Sequence, residues 1–578
     1  MVKRKSKHDD DDDMMAAFGA QPPQSPPKKR AKKTKKKKTI KKKTKTKKTD
    51  NDDGDDEDDE LLPPLILKRR KEIKFNYTIE DNIQSGNKAA SEWWLNNVND
   101  GRIVISHSEV YRWREDKKIW EHVRRDPSRL IADQLWRDLR VDVGKSHIAA
   151  SLWKHSITGL TQDKEMFHDV LDRKHKDLLP IADGKCIRLR SGEIIDRVRG
   201  HLFTYSLPVT YVKTDARDEK CVATLDTILT EIGAEQTGWV DHVQRVLGYS
   251  ITGETHEQLF WVWWGKAGSN GKGFLGRMLS HVLGKRVMVG LRKQLFLESA
   301  GSRGGFDVTE GPSPHTMTLK KGRLGMVTEC APGDKMKIDM MLRITGEDTV
   351  SARGLNKDPD EFHTQDKIHM QVNDVPEMPT DHTAFMRRPR VISFAATFQP
   401  PHKLKTCLEH LKRYNSLKDK ANPPEYLKAY PLDVKLEVRF KPGGDLHPLF
   451  FSWLVDGAVK WYKNGLGDVP ECLQKATNEA IHGQDIVAEY MRVRCELTDR
   501  TVTDRIAPNE LHNDFLVWYK AHKNDERVRF KKADLKRALL KKGWLLQPYK
   551  GINYWRGVRL LPKPDSEMSY RGTHHMPL

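Results

Sequence analysis

The sequence predicts an α/β protein: a phosphate-loop core, preceded by a mixed α/β domain and followed by a mostly helical, winged-helix-like C-terminal domain. Three observations predict it. An apolar run, Leu259 to Trp264, leads into a glycine-rich turn, Gly265 to Gly273, and then into a helix-like segment from Phe274 to Leu279. Apolar segments with short loops then continue to about Phe398, the rhythm of alternating strands and helices. Beyond residue 446, apolar residues recur at helical spacing and two short strand-like pieces follow.

The chain has 578 residues, enough for several domains, with 102 Lys+Arg against 81 Asp+Glu, a net charge of +21. The first sixty residues hold 19 basic and 14 acidic residues, so they carry +5 and the remaining body +16. A body this basic points to a polyanionic partner, most simply nucleic acid; a soluble basic protein is the plainer alternative. The six cysteines stand singly, without CxxC pairs, so neither a disulfide framework nor a zinc site is expected and a reducing compartment fits. No apolar run approaches the roughly 20 residues that span a bilayer, and no secretory signal is seen.

Residues 1–60 alternate acidic, proline-rich and lysine-rich blocks, which cannot bury a core and read as a disordered tail. Within them, Pro27 to Lys33 looks like a nuclear-targeting run, with a DNA-binding basic arm as the rival. Residues 61–232 read as the N-terminal α/β domain. Its signals are a hairpin through Trp113 and Trp120, helical patterns from about Pro127 to His175, and an alternating hairpin from Gly184 to Ile194. Residues 233–400 hold the core. They begin with a helix through Trp239, Val243 and Val246 that is expected to stop at Gly248. Residues 401–445 read as a linker or lid, and 446–578 as the helical and winged-helix-like part. There, Leu511, Phe515 and Trp518 mark one helix, and Phe530 to Gly543 mark a second, basic one.

The glycine-rich turn is a candidate phosphate-binding loop, formed by Gly265, Gly268, Ser269, Asn270, Gly271, Lys272 and Gly273. Glycines let backbone N–H groups turn inward on a phosphate chain, the helix N-terminus adds partial positive charge, and Lys272 adds a full one. A nucleoside triphosphate is the ligand this layout suits; a bland strand-to-helix turn is the alternative. Two departures stand out. Gly265 lies six positions before Gly271, one more than the standard spacing, and Gly273 replaces the hydroxyl residue that usually binds Mg²⁺.

Downstream partners occur in order. Leu324 to Glu329 is a short apolar strand ending in a carboxylate. Glu329 would polarise the attacking water and help hold the metal. Ile368 to Pro376 is a second strand, whose Asn373 would position water or touch the γ-phosphate, or simply close a turn. Arg387 and Arg388 precede a third strand, where an arginine can reach a neighbouring subunit's nucleotide or form an ordinary solvated turn.

This ordered set resembles the helicase superfamily 3 proteins, in particular the poxvirus-type primase-helicases of large DNA viruses and some phages, over about residues 90–562. Leu247 to Gly253, Asn270-Gly271-Lys272, Ile344 to Arg353, Asn373 and Arg387-Arg388 carry the resemblance. It implies an AAA+ core assembled as a homohexameric ring, ATP and Mg²⁺ as cofactors, and ATP-driven unwinding with movement along one strand of single-stranded or forked DNA. By position, Lys272 would bind the β- and γ-phosphates, Glu329 would be the catalytic acid, Asn373 the sensor, and Arg387 or Arg388 the finger. Arg353 and Lys357 would track DNA. Thr328 stands where many such ATPases have a second acid, so Thr328 and Glu329 are the candidate metal residues. No fused primase domain is expected, which implies separate primase and replication proteins, and the host nucleus is the expected location. The competing expectation is an ATP-regulated scaffold or origin-binding protein with a weakened nucleotide site, which Gly273 and Thr328 favour. A protein-remodelling motor is a third, opposed by the basic body.

Overall fold

The computed structural model describes residues 88–562 apart from 107–108, 125, 140–145, 161–163, 299–314, 329, 332, 355–358, 380–381, 418–423, 482–484, 499–503 and 524–530. The N-terminal tail, Glu329 and Lys357 therefore lie outside the described residues. The described residues all belong to one contact unit, Arg70–Leu578.

Helix α1 (Lys88–Trp94), strands β1 (Ile103–Ser106), β2 (Glu109–Arg114) and β3 (Ile119–Val123), and helices α2 (Ser128–Leu139) and α3 (Ser146–Leu160) come first. The strands form an antiparallel meander in which Trp113 faces Trp120 across the hairpin, ring centroids 5.7 Å apart. Such cross-strand aromatic pairs fix a hairpin's register. The short helix α4 (Lys164–Val170) leads to a second antiparallel sheet, β4 (Leu178–Pro180), β5 (Lys185–Arg188) and β6 (Glu193–Asp196).

Helices α5 (Glu219–Ile232) and α6 (Trp239–Ser250) introduce the central layer. In chain order follow β7 (Phe260–Trp264), α7 (Lys272–Val287), β8 (Met288–Leu291), the two-residue β9 (Leu297–Glu298), β10 (Leu324–Val327), β11 (Lys335–Met336), α8 (Ile338–Thr345), the hairpin β12 (Thr349–Arg353) and β13 (Pro359–His363), β14 (Lys367–Val372), the helical turn α9 (Thr383–Met386), and β15 (Pro389–Ser393). Five of these strands make one parallel sheet in the order β15-β7-β14-β10-β8. Phe260, Trp261, Val262 and Trp263 of β7 are all buried. Trp261 and Trp263 face the core built with α5, α6 and α7, while Phe260 and Val262 face the one built with α8. A parallel strand covered on both faces reads as an unbroken apolar run, as Leu259 to Trp264 does.

Beyond the sheet come β16 (Ala396–Gln399), α10 (Pro401–Ser416) and β17 (Lys428–Pro431), the last parallel to β16. They are followed by α11 (Leu446–Asn464) and α12 (Glu471–Ala480). The chain then forms α13 (Ile486–Arg494), β18 (Cys495–Leu497), β19 (Arg505–Ile506), α14 (Pro508–Lys523), α15 (Lys532–Lys541), β20 (Leu546–Tyr549), β21 (Ile552–Arg556) and β22 (Val558–Leu560) around a core of its own. No helix among the described residues is long and apolar enough to cross a membrane.

One expectation is corrected. Helix α6 does not stop at Gly248 but runs on to Ser250. Gly248 instead lets α6 and α11 touch backbone to backbone. A Cβ on Gly248 would come 2.1 Å from Ala458 N, and a Cβ on Gly457 2.1 Å from Gln244 O. The glycine serves close packing between helices rather than a helix end.

Candidate nucleotide-binding site

Strand β7 has β14 on one side and β15 on the other, the last two strands of the sheet in sequence. The loop after β7 therefore opens at the C-terminal ends of the strands where the strand order reverses, the crevice in which open parallel sheets bind ligands. Three features shape that loop. Gly265 sits where a Cβ would come 2.5 Å from Asn270 Nδ2 and 2.7 Å from Phe394 O, so only glycine fits. Ser269 and Gly271 take positive φ values of 55° and 88°, the left-handed turns that point successive N–H groups toward one concavity. The Asn270 side chain ties the loop across its neck, its Nδ2 donating to Gly265 O (3.2 Å) and Ala267 O (2.6 Å). This internal brace holds together a loop one residue longer than the standard spacing. Outside it, Phe398 N donates to Ser269 O (2.8 Å) and Thr397 Oγ1 to Gly268 O (3.4 Å), so β16 pins the rim.

Lys272 opens α7 and is buried. Its Nζ donates to Gly265 O (2.8 Å), Val372 O (2.6 Å) and Asn373 Oδ1 (2.8 Å), which uses all three ammonium protons. Burial pushes its pKa down to about 8, opposed by the Asp374 carboxylate. Asn373 is held in turn by Trp264, whose Nε1 donates to its backbone oxygen at 3.1 Å. Gln371, which the motif reading passed over, stands behind the loop with Nε2 donating to Lys272 O (3.4 Å).

The loop faces a cavity of about 860 Å³. Residues 269–273, Thr328 and Asn373 line its polar end, and Ile228, Ile232, Phe398, Leu432 and Val434 contribute an apolar wall. The segment supplying part of that wall is fastened to α7. Glu437 accepts from Arg277 Nε (2.7 Å) and pairs with His281 Nε2 (3.1 Å). A hydrophobic slot leading to a cationic, glycine-rich end is the shape a nucleoside polyphosphate requires.

The structure thus gathers the loop, Lys272, Gly273, Thr328 and Asn373. Arg387 and Arg388 lie elsewhere. They precede β15, and Arg388 O accepts from Phe260 N at the start of β7, four residues of strand from the loop or about 13 Å. Arg388 is buried and donates through Nη1 to Leu342 O (2.8 Å) and to Thr345 Oγ1. Arg387 is exposed and donates to Gln258 Oε1 (3.0 Å). Arg353 is exposed at the end of β12, on the β12–β13 hairpin.

Beneath the site, His369 of β14 is fully buried. Its Nδ1 accepts from Trp263 Nε1 (3.0 Å), so Nε2 carries the proton and donates to Ser250 Oγ (2.8 Å). Ser250 Oγ donates onward to Val246 O (2.7 Å), and Trp261 stacks on the imidazole with centroids 5.0 Å apart. Burial pushes the His369 pKa down to about 3, so the ring is neutral.

Fold and site define a mixed α/β protein with a glycine-rich turn at the C-terminal ends of the strands of a parallel sheet. The chain is similar to the "Putative helicase" of Acanthamoeba polyphaga mimivirus, with 24% identity over 316 residues, covering 54% of this chain and 30% of that protein. The chain thus spans under a third of that relative's length. Solved apo structures of the NrS-1 C-terminal region are also similar. One covers 78% of this chain and 95% of the other at 10% identity and a TM-score of 0.42; another covers 77% and 84% at 9% and 0.39. No protein-family model matches the chain.

Proposed function

We propose that this chain is an ATP-driven replicative DNA helicase of the superfamily 3, AAA+ kind, from a large DNA virus or similar element. In this reading it works as a homohexameric ring that moves along one strand of forked DNA. One observation carries the proposal: Lys272, at the end of the loop following β7, is bonded to Asn373 at the end of the adjacent strand β14, at the polar end of a cavity sized for a nucleotide. The mimivirus similarity supports the helicase class.

The apolar wall would take the base of ATP, and the loop and Lys272 its phosphates. Mg²⁺ would be held by Thr328 and Glu329 with waters filling its remaining positions, since it dehydrates reluctantly and keeps several. When bound, the metal supplies charge neutralisation at the transferring phosphoryl group. Asn373 would exchange its bond to Lys272 for the γ-phosphate or the attacking water, which Glu329 would polarise. Arg387 would reach the nucleotide of a neighbouring subunit. Arg353, at the end of β12, and Lys357 would track the DNA backbone. The basic run from Pro27 to Lys33 would direct the protein to the host nucleus, and a separate primase would supply primers.

Gly273 favours a second reading, an ATP-regulated DNA-binding scaffold or origin-binding protein with a weakened site. Strand displacement on a forked duplex separates the two. The helicase displaces a strand with ATP and Mg²⁺, and Lys272→Ala and Glu329→Gln abolish this. Nucleotide-dependent DNA binding without displacement would establish the scaffold.

A further inference from the structure

The C-terminal module, residues 486–562, contributes nothing to the lining of the nucleotide cavity and has its own core. Tyr490, Phe515, Trp518, Leu535, Leu539 and Trp555 are buried together. Helices α13, α14 and α15 surround them, and the small sheet β19-β21-β20 closes one side. Helix α15 follows α14 as the second helix of a helix-turn-helix pair follows the first, and a β-hairpin follows it directly.

Two features give this module a basic surface, on which Lys542 and Arg559 pair with Asp485 and Glu496 while α15 itself carries one acid only. Leu535 and Leu539 are buried one turn apart, which turns Ala533, Lys536, Arg537 and Leu540 to the opposite, exposed side of α15. From Lys531 to Pro562 the chain holds nine Lys+Arg (531, 532, 536, 537, 541, 542, 550, 556 and 559) and one acid, Asp534. Asp534 lies 3.7 Å from Arg537, and among the described residues no acid pairs with Lys531, Lys536 or Lys550. The hairpin adds a rigid arm. Lys550 and Gly551 at its tip take φ of 47° and 79°, both positive as a two-residue type I′ turn requires. The Arg505 guanidinium lies 3.6 Å from the centroid of the Tyr549 ring, bracing the arm against β19, and Ile552 projects from it more than half exposed.

We propose that this module is a second nucleic-acid site that binds duplex DNA, with α15 in the major groove and the β20–β21 hairpin against the flanking backbone. The chemistry selects this partner. A bare, basic helix face with a small residue at Ala533 fits the roughly 12 Å major groove of B-DNA, and Lys536 and Arg537 meet phosphates or base edges there. The narrow major groove of A-form RNA excludes a helix. The site is separate from the nucleotide cavity, so it holds duplex whether or not ATP is hydrolysed.

The test uses the full-length protein and a fluorescent 20-base-pair duplex, titrated by anisotropy across a range of salt. The Lys536→Gln/Arg537→Gln pair, which keeps the helix and removes the charge, is expected to weaken duplex binding about tenfold or more. It flattens the slope of log affinity against log salt by about 0.9 for each lost phosphate contact. Lys550→Gln does the same more mildly. Unstimulated ATP hydrolysis is unchanged in these variants, and Lys272→Ala binds duplex as the parent does, so failure of the nucleotide site and failure of this proposal are distinguishable. Unchanged duplex affinity in the Lys536/Arg537 pair would overturn the proposal. So would an equal loss for duplex, single strand and heparin, or equally tight binding of duplex RNA. Matching tryptophan fluorescence and circular dichroism between variant and parent assign the loss to charge, and a variant that unfolds is replaced by Lys536→Ala alone.

Discussion

Lys272 Nζ and Asn373 Oδ1 lie 2.8 Å apart, so the cation that follows the glycine-rich loop is tied to the end of the neighbouring strand. With Gly265 O and Val372 O completing its contacts, the ammonium is fully bonded yet desolvated, and its pKa falls from the usual 10.5 to about 8. The sign follows. Below about 8 the buried ammonium is charged; between 8 and 10.5 the folded chain holds fewer protons than the unfolded one, and stability rises with pH across that window. A bound triphosphate favours the charged form, so binding takes up a proton in the same window. Nucleotide affinity is therefore expected to fall above pH 8, by at most about tenfold per pH unit. A fluorescent ATP analogue titrated at pH 7, 8 and 9 reads this directly, with Lys272→Ala weak and flat. A parent protein whose affinity does not change between pH 7 and 9 would show that Lys272 does not meet the phosphates.

Gly273 follows Lys272 in the first turn of α7. A Cβ there meets only Arg277 Nη1, the movable end of a long side chain, at 3.4 Å. The position thus has room for the hydroxyl residue that the loop lacks. Gly273→Ser is expected to leave stability unchanged or slightly improved, since glycine inside a helix costs about 0.5–1 kcal/mol relative to better formers. The Mg²⁺ concentration for half-maximal ATP hydrolysis should fall roughly three- to tenfold, if one ligand oxygen is worth about as much as one net hydrogen bond. Hydrolysis measured across a Mg²⁺ titration decides the point, and an unmoved midpoint would mean that the metal does not approach α7.

Much of this architecture was legible in the sequence, for local reasons. The unbroken apolar run of β7, the glycines of the loop, the Trp113/Trp120 hairpin and the basic α15 ending at Gly543 each declare themselves within a few residues. The cavity wall does not. Ile228 and Ile232 come from α5, and Leu432 and Val434 from a segment read as linker or lid, so only the three-dimensional fold brings them to the loop. Gly248 looked like a helix end because glycine stops helices; what keeps it is an approach to Gly457 some two hundred residues later. His369 sits in the middle of a buried strand, and no local pattern reveals that it anchors Trp263.

The arginine pair divides by burial. Arg388 is bonded inside its own chain to Leu342 O and Thr345 Oγ1, whereas Arg387 is exposed. Arg388→Ala is expected to destabilise the fold by about 1–3 kcal/mol, because buried acceptors lose their donor. Arg387→Ala should leave stability within about 0.5 kcal/mol yet lower DNA-stimulated ATP hydrolysis by roughly 10³-fold if it serves a neighbour's nucleotide. Mixing makes the test specific. Lys272→Ala subunits keep the arginine and Arg387→Ala subunits keep the loop, so if the chain works as the proposed ring, mixing should restore activity that neither variant has alone. No recovery on mixing, despite co-assembly, would remove Arg387 from the site.

His369 holds the floor of the sheet in a single protonation state. Its Nδ1 must stay unprotonated to accept from Trp263, and burial keeps its pKa near 3 against an ordinary 6.5. The folded chain therefore binds fewer protons than the unfolded chain between pH 3 and 6.5. The stability this group permits is whole above 6.5 and drains as pH falls through that range, by about 1.4 kcal/mol per unit. His369→Leu removes the titration but leaves the Trp263 indole N–H without its acceptor, which costs about 1–3 kcal/mol at neutral pH. The two effects make the curves converge. Urea midpoints from tryptophan fluorescence should separate parent and variant clearly at pH 7.5 and bring them close together near pH 5. A constant gap across that range would show that the imidazole accepts a proton in place, and that the Trp263–His369–Ser250 chain does not hold it neutral.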